Sequence, residues 1–227
     1  MRSQRLRSAS LICCSAIASA LSLPVLAEEK VDPIYIKLGA GMAWTSDIEG
    51  DFTDSGTKYD GKYSIDDGSF NFNLGIGKEI ENWRIEGTFG QNTVETDSIT
   101  VTSGGNGVTA TISPALEFDA KNYHLNLFRD FNKKETFSPY IGLGLGLSTF
   151  DFDATTATVA GTEVAFTSEN ETVFSFTVTG GVSYKINETT ALFTEATYLK
   201  ASEFEIDTTN YDSVTQTSLS GGLRFRF

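Results

Sequence analysis

An alternation with period two, repeated along the chain, limits this sequence more than any other feature. Between Phe174 and Ile186 the even positions are Phe174, Phe176, Val178, Gly180, Val182, Tyr184 and Ile186. The odd positions are Ser175, Thr177, Thr179, Gly181, Ser183 and Lys185. Successive side chains of a β-strand point to opposite faces, so this segment has one apolar face and one polar face. The alternation recurs about eight times, over segments of roughly 10 residues, a length that suits a tilted strand crossing a membrane. It runs through Ile34 to Trp44, Phe70 to Gly77, Trp83 to Gly90, Leu116 to Phe131, Tyr140 to Ser148, Phe174 to Ile186, Thr190 to Phe204 and Ser218 to Phe227. The connections alternate in length. Thr45 to Gly68, Thr96 to Pro114, Asp153 to Glu171 and the shorter Glu205 to Asp212 read as loops. Glu79 to Asn82, Asn132 to Glu135 and Asn187 to Thr189 read as tight turns.

The expected fold is all-β, an eight-stranded antiparallel up-and-down transmembrane β-barrel with its long loops at one end and its turns at the other. A secreted ligand-binding barrel would alternate as well, with its apolar face inward. Three features favour lipid outside. The polar face is built of Gly, Ser, Thr and Asn, whereas a water-facing surface is normally rich in Lys and Glu. Glycines such as Gly39, Gly75, Gly142, Gly144 and Gly222 suit a narrow interior. Large aromatics mark both ends of the apolar face, Trp83, Phe225 and Phe227 near the turns and Trp44, Phe70 and Tyr198 near the loops, as interfacial girdles do.

Residues 1–27 read as a cleaved signal peptide: Arg2, Arg5 and Arg7, then a largely apolar stretch, then Val25-Leu26-Ala27. Residues 28–227 form the expected barrel domain. Both cysteines, Cys13 and Cys14, fall in the leader, so no disulfide framework is expected. Without the three leader arginines the 17 basic residues fall to 14 against 30 acidic ones, a net charge of −16. That excess excludes nucleic acid as a partner, which calls for basic patches. Beyond the leader no apolar run is long enough for a membrane helix.

The chain resembles the small bacterial outer-membrane β-barrel family of OmpA/OmpX-type barrels and opacity-like surface antigens. Ser138-Pro139-Tyr140-Ile141-Gly142-Leu143-Gly144-Leu145-Gly146 carries the resemblance. So does the terminal alternation of Leu219, Gly221, Leu223, Phe225 and Phe227. In that family Leu219, Leu223, Phe225 and Phe227 would be the C-terminal signal read by the outer-membrane insertion machinery. The resemblance implies outer-membrane lipids and that machinery as partners and the bacterial outer membrane as location. It identifies no activity.

Inside the barrel, Lys37, Arg84, Glu86, Lys185, Glu195, Arg224 and Arg226 gather toward the turn end. Buried charges are costly alone, so Glu86 and Glu195 are expected to pair with Arg84, Arg224 or Lys185 and to fill the lumen. Gly142-Leu-Gly-Leu-Gly146 lies inside a strand and so lacks the strand-to-helix context of a phosphate loop. His124 has Asn122 and Asn126 as inward neighbours, which suggests neither a metal site nor a Ser/His pair for a lipid hydrolase. The acidic loop residues, among them Asp47, Glu49, Asp51, Asp54, Asp60, Asp66, Asp67, Asp97, Glu205 and Asp207, read as a solvated surface, with divalent-cation binding as the sharper alternative. No cofactor is expected. The function read from the sequence is a monomeric, non-enzymatic barrel with a structural or surface-interaction role and an unnamed extracellular partner. A narrow porin-like channel for small solutes is the alternative.

Overall fold

The computed structural model describes residues 32–227 apart from 55–56, 66–67, 104–105, 160–161 and 207–208. The leader with Cys13 and Cys14, and Asp66, Asp67 and Asp207 of the acidic set, lie outside the described residues. No helix among these residues is long and apolar enough to cross a membrane.

Fourteen strands make up the described chain: β1 (Ile34–Thr45), β2 (Ile48–Asp54), β3 (Thr57–Ile65), β4 (Ser69–Ile80), β5 (Trp83–Ser103), β6 (Asn106–Asp130) and β7 (Phe137–Phe152). They continue with β8 (Thr155–Val159), β9 (Thr162–Phe166), β10 (Glu169–Lys185), β11 (Thr190–Ala201), β12 (Phe204–Ile206), β13 (Thr209–Tyr211) and β14 (Thr215–Arg226). Among the described residues the strands pair antiparallel, in the order β12-β13-β2-β3-β5-β4-β1-β14-β11-β10-β7-β6-β8-β9. Pairing of β5 with β6 along Trp83↔Arg129 to Ser103↔Asn106 closes the wall.

The eight-strand expectation is therefore corrected. The segments read as loops are themselves strands that carry the sheet beyond the membrane band. Their composition explains both the misreading and the outcome. They are polar, yet carry Thr with Ile, Tyr, Phe or Val, which favour strands. In each, a two-residue gap separates paired strand ends, Asp54↔Thr57, Ser103↔Asn106, Val159↔Thr162 and Ile206↔Thr209. Two residues are the commonest hairpin connection.

Parity is kept along β7, β10 and β11 and on β6 from Asp130 back to Leu116, where the β5–β6 register shifts at Thr96/Ser98, while the chemistry of the two faces changes with height. On β6 the inward residues run Phe118 and Ala120, then Asn122, His124 and Asn126, then Phe128 and Asp130, all buried. The outward residues run Glu117, Asp119 and Lys121, then Tyr123, Leu125 and Leu127, of which Leu125 is 64 % exposed. Outward polarity thus switches between Lys121 and Tyr123. The same switch falls between Thr149 and Leu147 on β7, Thr172 and Phe174 on β10, and Lys200 and Tyr198 on β11. On β7 the apolar band runs from Phe137 to Leu147, the length a tilted strand uses to cross roughly 25 Å of hydrocarbon. Trp44, Phe70 and Tyr198 stand exposed at its upper edge, and Trp83 and Phe227 at its lower edge.

Above the band the inward face becomes the apolar one. Ile48, Val94, Phe118, Phe150, Val173, Leu199 and Val214 pack together there, and Thr93, Glu95, Glu117 and Thr172 face outward and are exposed. In water a β-sheet keeps its apolar face inside, and in lipid outside. The chain follows both rules on one set of strands.

Candidate functional site

Near the short-turn end, six charged side chains and four aromatic rings meet across the lumen. Lys37 on β1 is the hub. Its Nζ lies 2.8 Å from Glu86 Oε1 and 2.9 Å from Glu195 Oε1. The second oxygen of each carboxylate takes a phenol: Tyr35 donates to Glu86 at 2.7 Å and Tyr140 donates to Glu195 at 2.9 Å. Arg84 pairs with Asp130 at 2.8 Å and approaches Glu86 at 3.6 Å. Its guanidinium lies against two perpendicular rings, Phe128 at 4.5 Å and Tyr140 at 4.6 Å. Arg224 donates to Ser183 at 3.2 Å and lies 5.1 Å from the Tyr35 ring. Three cations, Lys37, Arg84 and Arg224, thus balance three carboxylates, Glu86, Glu195 and Asp130, all of them buried. Balance and multiple hydrogen bonds are what allow charges to stay out of water.

The glycines of the inward face make room for the rings of this layer. A methyl group on Gly77 would meet the Tyr35 hydroxyl at 2.5 Å, and one on Gly181 would meet the Tyr140 hydroxyl at 2.6 Å. Phe128 lies flat against Gly142 in the same way. The glycine run of β7 is therefore a seat for an aromatic ring.

Of the residues expected to form the lumen set, Lys37, Arg84, Glu86, Glu195 and Arg224 meet in this layer. Arg226 and Lys185 sit at the mouth below it. Arg226 pairs with Glu79 at 2.8 Å, and Lys133 completes that site at 2.9 Å. Lys185 pairs with Glu188, which is 90 % exposed, so it belongs to the wet mouth. Sequence reasoning gave the carboxylates arginine or Lys185 as partners; the structure keeps Arg84 beside Glu86 and adds Lys37 to both. It also left out Tyr35, Tyr140, Asp130 and Glu79, although inward parity marks the first three. At the C-terminus, Leu219 and Phe227 are exposed on the lipid face and Leu223 and Phe225 half-buried on it.

A second correction concerns His124. Its Nε2 lies 2.9 Å from Ser175 Oγ on β10, 51 residues away. Ser148 Oγ sits 2.9 Å from Ser175 Oγ and 2.6 Å from Asn122 Oδ1. The serine that local sequence lacks arrives across the barrel wall. His124 and Asn122 border a lumen cavity of about 70 Å³ that Ser148 and Ser175 do not line. Among the described residues no carboxylate bonds the imidazole. The cavity has room for a few waters and none for a lipid or peptide.

The acidic surface residues disperse into pairs. Lys62 lies 2.9 Å from Asp47 and 3.3 Å from Glu49, Lys58 lies 3.4 Å from Asp51, and Lys121 pairs with Asp151. Among the described residues no three carboxylate, histidine or cysteine side chains converge as a metal-binding group. The Ile65 amide donates to Asp47 at 3.0 Å. The hydrogen bonds from Lys62, and then from Ile65, hold the Asp47 carboxyl below its usual range. A depressed carboxyl stabilises the fold above its unfolded pKa, and that contribution is lost as pH falls through the lower folded value. Exchange of the Ile65 amide with solvent is therefore expected to quicken below about pH 4, and at neutral pH in Asp47→Asn. Hydrogen-exchange mass spectrometry of the β2–β3 hairpin measures both.

The family model for the outer membrane protein beta-barrel domain matches residues 13–227. The chain belongs to this family. Its location is accordingly the bacterial outer membrane. Among solved structures, Neisserial surface protein A aligns at a TM-score of 0.53 with 17 % identity, over 86 % of this chain and 97 % of that one. OprG from Pseudomonas aeruginosa aligns at 0.52 with 15 % identity, over 87 % and 97 %. The outer membrane protease OmpT from Escherichia coli aligns at 0.49 with 10 % identity, over 89 % and 99 %. Identities this low speak to fold alone. No curated protein matches the sequence. As a family barrel, the molecule has a closed wall in the bilayer, a charged layer across its lumen and a sheet extension outside.

Proposed function

We propose that this outer-membrane barrel is non-enzymatic and non-conducting, and that it acts at the cell surface through its sheet extension. The observation that carries this reading is the occlusion of the lumen at two heights. The charged layer around Lys37 fills the turn end, and the apolar cluster of Val94, Phe118, Phe150 and Val173 fills the outer end. Between them lies the small cavity beside His124, whose imidazole bonds Ser175. A hydrolase would need space for a scissile bond next to that serine, and a porin would need a continuous aqueous path. With the barrel closed to solutes, the strands and hairpins above the band become its working surface, since recognition elements are commonly carried on a rigid scaffold.

Proteoliposomes carrying the folded chain are expected to swell no faster in small sugars than protein-free vesicles. They are also expected to release no fatty acid from their phospholipid and no peptides from added casein. Sugar-dependent swelling would contradict the closed lumen. Hydrolysis abolished by Ser175→Ala would contradict the non-enzymatic reading.

A further inference from the structure

Of the cavities in the molecule, one differs in chemistry from the rest. It lies at the outer end of the barrel, has a volume of about 220 Å³, and is walled by Ile48, Tyr63, Ile65, Phe118, Phe152 and Tyr211. These residues belong to the apolar cluster of the sheet extension or pack against it. Cluster members and the residues packed on them supply the apolar wall of this cup. Its rim carries two carboxylates, Asp153 just past β7 and Glu169 at the start of β10. The register brings them together: Glu169 pairs with Phe152, and Asp153 is the next residue along. Both are exposed. No lysine or arginine lines the cup among the described residues.

We propose that this cup binds a small amphiphile with an apolar, one-ring body and a cationic head. The volume falls below the roughly 300–1,000 Å³ of drug-sized sites, which restricts the body to a small ring or short chain. An apolar wall with a few polar groups at one end fixes the orientation of such a molecule, body down and head at the rim. The sign of the head follows from the rim. Two neighbouring carboxylates with no cation among the lining residues repel an acid and attract an ammonium group. This assignment stands on the cup alone and does not depend on whether the lumen conducts.

The test is calorimetry on the full chain refolded into zwitterionic nanodiscs, with empty nanodiscs as the blank. The probes are 2-phenylethylamine and 3-phenylpropanoate, which match in shape and differ in charge. The amine is expected to bind saturably at one site, and the acid more weakly by about tenfold or more. Asp153→Asn/Glu169→Gln changes exposed groups only and is expected to remove the preference for the amine. Leu116→Trp adds bulk to the cavity lining and is expected to weaken both probes. No saturable heat from the amine would overturn the proposal, as would equal affinity for the two probes. An affinity for the amine that neither variant changes would also overturn it, by marking partition into lipid.

Discussion

Glu86→Gln is expected to lower the stability of the folded barrel by about 3–5 kcal/mol, the cost of breaking a buried ion pair by removing one partner. Glu86 is 0 % exposed and answers three groups at once, Lys37 at 2.8 Å, the Tyr35 hydroxyl at 2.7 Å and Arg84 at 3.6 Å. Glutamine keeps the shape but takes one negative charge from a balanced set, leaving Lys37, Arg84 and Arg224 against Glu195 and Asp130. Lys37→Met restores the balance from the other side. The double variant Lys37→Met/Glu86→Gln is therefore expected to cost clearly less than the sum of the two single changes, a coupling that a double-mutant cycle measures directly. Urea unfolding and refolding in lipid vesicles gives the energies. Additive effects, or a cost for Glu86→Gln of less than about 1 kcal/mol, would mean that the layer is wet and unpaired, because exposed pairs are worth that little.

A comparable loss is expected from Leu143→Arg, of about 2–4 kcal/mol, as for an arginine facing the middle of the bilayer from a barrel wall. Leu143 is 65 % exposed, in the centre of the outward row from Phe137 to Leu147. A soluble barrel would tolerate arginine at so exposed a site within about 0.5 kcal/mol. Thr149 lies on the same face of the same strand, six residues further on and beyond the polarity switch. Thr149→Arg is accordingly expected to change stability little in the same vesicles. Equal costs at the two positions would contradict the placement of the band.

How much of this was open to sequence reading depends on the range of the physics involved. Parity is a local property, and the row from Phe174 to Ile186 states its faces without help from any other strand. The inward charges were legible for the same reason, because Lys37, Arg84, Glu86, Glu195 and Arg224 each break a polar but mostly uncharged row. Their partners were not. Lys37 meets Glu195 across 158 residues, and His124 meets Ser175 across 51. Such encounters depend on the register between strands, which alternation leaves undetermined. The strands β2, β3, β8, β9, β12 and β13 were missed for a different cause. Their segments are rich in Asp, Thr, Gly and Ser, and polarity was taken as a sign of loop. A sheet that leaves the membrane and enters water reverses which face is apolar, so an apolar row facing inward at Val94, Phe118 and Phe150 was the signal to follow. The two-residue hairpin gaps carried the same information.

The measurement that bears most directly on the filled lumen is planar-bilayer conductance of residues 28–227, with folding verified by heat-modifiable migration on gels. The account predicts a silent membrane for the unmodified barrel, with Glu86→Gln raising the frequency of brief openings as the charged layer loosens. Long-lived, discrete open steps from the unmodified protein, altered in size by Glu86→Gln or Arg224→Gln, would show that ions pass through this layer and would contradict the closed barrel.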